Sequence, residues 1–128
     1  EMTIYYAHSR LIYGSPLESY NIETIKRVFG NKADLSIINP ADFDQLRPSE
    51  EIMDECLATL DDCDVLVFST LDLMIGRGVY REIEYFENRG DIFMLWDNRL
   101  WLIDNIDILI NPYDKMFYAS VSLPFLRR

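Results

Sequence analysis

Short apolar runs alternate along the chain with stretches in which apolar residues recur every three or four positions, the mark of strands alternating with amphipathic helices. Thr3 to Ala7 is rich in aromatic and β-branched residues and reads as a strand. Ser15-Pro16 then opens a helix, with proline at the first helical position and Glu18 close behind. Its expected apolar side is Leu17, Tyr20, Ile25, Val28 and Phe29, and Gly30-Asn31 ends it. Leu35 to Ile38 reads as a short buried strand closed by Asn39-Pro40. A second helix starts at Ser49, read as its cap, with Glu50 and Glu51 in the first turn. Its stripe is Ile52, Met53, Cys56, Leu57 and Leu60. Asp64 to Phe68 is the clearest strand, apolar on both sides as a central parallel strand is. The loop Ser69 to Gly78 leads into a third helix that ends at Arg89-Gly90, and Ile92 to Trp96 is a fourth strand. Beyond it, Arg99 to Ile103 and Ile106 to Ile110 read as a hairpin or an extra strand, and Asn111 to Asp114 as a turn.

This order predicts an α/β fold: a three-layer, open, mainly parallel sheet of flavodoxin-like or Rossmann-like kind with right-handed crossovers. The expected strand order is 2-1-3-4, with one or more extra C-terminal strands, in a single domain over residues 1–128. Ligands of such sheets bind beyond the carboxyl ends of the strands, where strand order reverses. Here that point lies between the first and third strands. His8 to Ser15, Asn39 to Arg47 and Ser69 to Glu82 are therefore the segments to search.

Charge narrows the partners. Twenty-two acidic residues against 12 basic ones give a net charge of -10, which argues against nucleic acid and against a polybasic membrane anchor. No apolar run comes near the ~18 to 20 residues of a membrane span, and no targeting segment opens the chain. Cys56 and Cys63 are seven positions apart, neither a metal spacing nor a disulfide framework, and read as small core residues. The expectation is a reduced, soluble, cytoplasmic protein with no metal and no cofactor.

The third helix holds the most informative residue. Val79, Ile83 and Phe86 form its apolar stripe, and at about 100° per residue Glu82 falls beside that stripe. Burying a carboxylate is expensive unless it is paired or working. Glu82 is thus either a flanking residue that reaches water or pairs with Arg10 or Arg77, or a functional carboxylate about one turn inside a helix opening at the ligand edge. Gly76 and Gly78 bracket Arg77 at that helix start, where backbone can approach a ligand and free N–H groups can hold an anion. His8, Ser9 and Arg10 follow the first strand, the latter two suited to a phosphate or a sugar hydroxyl. His8 is read either as structural or as a ligand contact. Asn39 and Asp72, in the other two segments, complete the candidate binding residues. A receiver domain needs acids after the first strand, a flavodoxin a Thr/Ser-rich loop, and a low-molecular-weight tyrosine phosphatase a cysteine. Ala7 to Tyr13 supplies none of these.

Three segments, Ile4 to Arg10, Asp62 to Phe68 and Gly78 to Ile83, appear in this order. Together they resemble the nucleoside 2-deoxyribosyltransferase superfamily, which includes the deoxynucleoside-monophosphate N-glycosidases. The resemblance spans Thr3 to Trp96. It implies that Glu82, in Gly78-x-x-x-Glu82, is a nucleophile acting on a (deoxy)nucleoside or its 5′-monophosphate. An acid in the helix before the third strand is implied to assist departure of the base. Counted back from Asp64, that place is Cys56; with a shift of one or two residues it is Glu55 or Asp54. Six residues before the nucleophile the family carries Asp or Ser, and here stands Gly76. The implied chemistry is that of a retaining glycosidase, with Ser9 and Arg10 at the 5′ end and hydrolysis favoured over transfer. A non-enzymatic nucleotide- or nucleotide-sugar-binding module on the same fold is the alternative.

The apolar tail, with Tyr113, Met116, Phe117, Tyr118 and Leu123 to Leu126, exceeds what a small core absorbs. A homodimer or higher homo-oligomer is expected, with Ser120 or Ser122 reaching a neighbouring site.

Overall fold

The computed structural model describes residues 1–30, 34–72 and 74–104 together with the backbone of 118–120. In chain order these form β1 (Met2–Ala7), α1 (Pro16–Phe29), β2 (Leu35–Ile38), α2 (Ser49–Leu60), β3 (Val65–Ser69) and β4 (Met74–Gly76). Then follow α3 (Arg77–Phe86), β5 (Asp91–Trp96), β6 (Arg99–Leu102) and β7 (Tyr118–Ser120). The main sheet runs β2-β1-β3-β5-β6. Its first four strands are parallel, as expected from the sequence, and β6 returns antiparallel along β5. Ile4 lies opposite Val65 and Ala7 opposite Phe68, so the carboxyl ends of β1 and β3 are level.

Strand alternation divides the core in two. Ile4, Tyr6, Val65, Val67 and Leu95 face α1, where Ile25 is buried and Ile22 and Phe29 pack beside it. Tyr5, Ala7, Leu66, Phe68, Ile92 and Met94 face α2 and α3, meeting Ile52, Cys56, Leu60, Val79, Ile83 and Phe86. The result is an open α/β sheet of flavodoxin-like or Rossmann-like form with helices on both faces.

Several local expectations are corrected. The buried side of α1 is Ile22, Ile25 and Phe29, whereas Leu17, Tyr20 and Val28 are exposed. Ile25 and Phe29 of the expected side are thus kept, and docking against the sheet turned the buried face toward Ile22 and Glu18; Thr24 is buried as well. Ser49 is the first residue of α2 rather than its cap; Pro48 occupies the cap and makes no side-chain hydrogen bond there. The loop before α3 contains β4, which pairs antiparallel with β7. The hairpin after β5 turns on Asp97 and Asn98, both at positive φ (54° and 59°), the geometry of a tight two-residue turn matched to strand twist. Residues 105–117 and 121–128, which carry Ile106 to Ile110 and most of the apolar tail with Ser122, lie outside the described residues. Among the described residues no helix is long and apolar enough to cross a membrane.

Candidate functional site

A cavity of about 550 Å³ opens beyond the carboxyl end of β1, between the segment that follows it and the start of α3. His8, Ser9, Arg10, Leu11 and Tyr13 line one side, and Gly76, Arg77, Gly78, Val79 and Glu82 another. Gln45, Ser49, Ile52, Met53 and Cys56 close it from the α2 side.

Glu82 is 4% exposed. It sits on the sheet-facing side of α3 together with Val79 and Ile83, so packing of that stripe carries the carboxylate inward. The Tyr5 hydroxyl, reaching up from the middle of β1, donates to Glu82 Oε2, and the Cys56 thiol beside it also acts on the carboxylate. Burial raises the Glu82 carboxyl to about 7, against Tyr5 and Cys56, which lower it. The same burial, with Glu82 alongside, pushes the Cys56 thiol up to about 12 and Tyr5 well above the usual phenol range. Both therefore stay protonated at neutral pH. Tyr13 is raised by the same two causes, burial first and the Glu82 charge second, which puts its ring within the field of the carboxylate.

The segment after β1 is held from behind. His8 is 3% exposed and its ring stacks on Tyr6 at 3.9 Å. Its Nδ1 lies 2.9 Å from the Tyr6 carbonyl oxygen, which can only accept, and its Nε2 2.6 Å from Glu18 Oε2. Nδ1 is therefore the donor, and one proton is held between Nε2 and Oε2. Burial would raise the Glu18 carboxyl, but hydrogen bonds from His8, the Gly14 N–H and the Asn39 side chain outweigh it and hold the group below the usual range. Gly14, at φ 73°, occupies the left-handed region where side chains are disfavoured, and its N–H donates to Glu18 Oε1 at 3.0 Å. Both nitrogens of His8 are thus occupied by the protein itself.

The structure brings Glu82, His8, Ser9, Arg10, Gly76, Arg77 and Gly78 to one cavity and leaves the other candidates off its wall. Arg10 is exposed, and Ser9 Oγ accepts the Leu11 N–H at 3.1 Å. A Cβ on Gly78 would meet Met53 Cε at 3.3 Å, so the backbone room there is bounded by α2. Asn39 caps the turn Pro40–Asp42 through the Ala41 N–H, and Asp72 is an exposed turn residue at φ 53°. Asp54 is exposed, and Glu55 is ion-paired with Arg47. The α2 residue that meets Glu82 is Cys56, one turn before Leu60 on the buried face.

Sequence reasoning missed Tyr5, Tyr13 and Gln45. The Gln45 amide nitrogen donates to the carbonyls of Pro40 and Phe43 at 2.8 and 2.9 Å. Turning the amide over would set oxygen against oxygen, so its orientation is fixed. Its Oε1 is buried and, among the described residues, has no hydrogen-bond partner. An aromatic in the centre of a strand reads as core, and only the tertiary position of Glu82 shows what the Tyr5 hydroxyl is for. Among the described residues, no group of three or more potential metal ligands converges.

No family model, no curated protein and no solved structure matches this chain.

Proposed function

We propose that the chain cleaves the N-glycosidic bond of a nucleoside or nucleoside 5′-monophosphate, by hydrolysis or transfer, with Glu82 as nucleophile. The observation that carries this reading is a buried carboxylate on a cavity wall at the sheet's switch point, hydrogen-bonded by a phenol, with a thiol beside it, and ion-paired to nothing among the described residues. Such a group is costly to keep for stability alone. The resemblance of Gly78-x-x-x-Glu82 to the nucleophile motif of the deoxyribosyltransferase superfamily supports the same role.

In this reading the Glu82 carboxylate attacks the anomeric carbon as the bond to the base breaks, and water or a second base then resolves the glycosyl ester. Tyr5 holds one carboxylate oxygen and keeps the attacking group in a fixed orientation. Arg10 at the rim supplies positive charge for the 5′ end, against the negative field of an acidic protein. Because the nucleophile must be ionised and burial puts its carboxyl near 7, base release rises with pH through neutrality.

The presence of Cys56 where the resemblance implies an acid favours a second reading, a nucleotide-binding module without turnover. Chromatographic assay of free base across a panel of nucleosides and monophosphates separates the two. Release by the parent protein, lost by orders of magnitude in Glu82→Gln, is the expected outcome. Binding without release assigns the module, and full activity in Glu82→Gln ends the nucleophile reading.

A further inference from the structure

Assistance to the leaving base is the step for which the described residues of this cavity are least equipped. Among the described residues Glu82 is the one carboxyl group on its wall. Asp54 is turned to solvent and Glu55 is held by Arg47. The α2 side presents Ser49, Ile52, Met53 and Cys56, of which Cys56 lies beside Glu82. These groups are neutral, and two of them, Met53 and Cys56, carry soft sulfur. Tyr13 adds an aromatic ring on the opposite side, within the field of the Glu82 charge. Aromatic faces, polarisable sulfur and a buried carboxylate all favour a flat cation over a flat neutral ring. The net charge of -10 draws cations toward the protein as a whole.

Resting on the glycosidase reading above, we propose that the substrate is an N-glycoside whose base already carries a formal positive charge, such as a pyridinium nucleotide or an N-alkylated purine nucleotide. For such a substrate the leaving group needs no acid. As the Glu82 oxygen bonds to the anomeric carbon, the electron pair of the carbon–nitrogen bond passes to the ring nitrogen and cancels its positive charge. The base departs as a neutral molecule. Water then cleaves the glycosyl ester, its hydroxyl going to the sugar and its remaining proton to solvent, and Glu82 is regenerated as the carboxylate. Each turnover releases one proton, whereas hydrolysis of a neutral nucleoside releases none, because there the departing base takes it. The cationic ring sits between Tyr13 on one wall and Met53 on the other, and Arg10 takes the phosphate at the rim.

A matched pair tests this: guanosine 5′-monophosphate and its N7-methyl derivative, equal in shape to one methyl group and different by one charge. Base release is followed by chromatography for the parent protein and for Glu82→Gln, and each rate is divided by that in buffer alone. The expected result is a Glu82-dependent acceleration for the methylated nucleotide that exceeds the acceleration for guanosine monophosphate by about 100-fold or more, the usual contribution of general acid catalysis. Nicotinamide mononucleotide, a pyridinium in the same charge state, should follow the methylated compound and acidify a weakly buffered solution as it is cleaved. Equal or greater acceleration of neutral guanosine monophosphate, still dependent on Glu82, overturns the charge preference and leaves the glycosidase reading standing. Failure of every compound, methylated and neutral alike, overturns both.

Discussion

Two tyrosines stand side by side in β1, both with 0% exposure, and the pleat sends their hydroxyls to opposite faces of the sheet. On the α1 face the Tyr6 hydroxyl bonds to neutral partners, while its ring stacks on His8, which is itself paired with Glu18. The Tyr6 hydroxyl lies 2.8 Å from Ser69 Oγ and accepts from Asn21 Nδ2, also at 2.8 Å. Both neighbours are neutral and within hydrogen-bond distance of the phenol. On the other face Tyr5 donates to a carboxylate that burial holds near 7, beside a cavity of about 550 Å³. One face buries polar groups and a carboxylate, Glu18, that is paired with His8 and held below its usual range. The other buries a charge whose desolvation is only partly offset, and proteins retain that kind of cost where a site needs it.

The largest test of this contrast is the stability of Glu82→Gln. The folded carboxyl titrates near 7 and the unfolded one near its ordinary 4.5. Below the lower value both states are protonated and the group costs nothing. As pH rises from 4.5 to 7 the unfolded state gives up this proton while the native state keeps it in a dry site, so the parent protein loses about 3 kcal/mol across that window and no more above it. Urea unfolding should therefore show Glu82→Gln more stable than the parent by about that amount at pH 8, with the difference gone at pH 4. Equal stabilities at pH 8 would remove the contrast between the two faces.

Next in size is Tyr5→Phe. Losing a hydrogen bond to a charged group is worth about 1.5–3 kcal/mol, so the Glu82 carboxyl rises further. The midpoint of the pH–activity profile should move about one to two units toward alkali. An unmoved midpoint means that Tyr5 does not govern the carboxylate. Tyr6→Phe is smaller and different in kind. It should lower stability by about 1–3 kcal/mol, as Ser69 and Asn21 lose their shared partner, and leave the midpoint where it is. Smallest is Glu55→Gln, which breaks a half-exposed pair with Arg47. Stability should fall by less than about 1 kcal/mol, and base release should change no more than a few-fold. A loss of orders of magnitude would return Glu55 to the role of acid.

The strand order was legible because each parallel strand is an apolar run bounded by turn residues and each helix carries its own stripe. Glu82 was legible as a residue beside a stripe, since helical geometry alone places it next to Val79 and Ile83. The exact face of α1 was not: Ile25 and Phe29 were read correctly, but Leu17, Tyr20 and Val28 continue that stripe as well as Ile22 does until the sheet chooses. Nor was the partnership of Tyr5, Cys56 and Glu82. It joins a strand and two helices far apart in sequence, and nothing local in any of them announces it. The orphaned oxygen of Gln45 depends likewise on where Pro40 and Phe43 turn their carbonyls.

The Glu18 carboxylate grips His8 with one oxygen and the Gly14 N–H with the other, and so clips together both ends of the loop that carries Ser9, Arg10, Leu11 and Tyr13 toward the cavity. The clip stands outside the stretch it fixes. Within that stretch Arg10 and Leu11 are exposed while Ile12 is buried, so these two are exchangeable positions: their side chains can be rewritten while the carboxylate keeps the span. Selection, or a library confined to those positions, could then retarget the cavity without reopening the core.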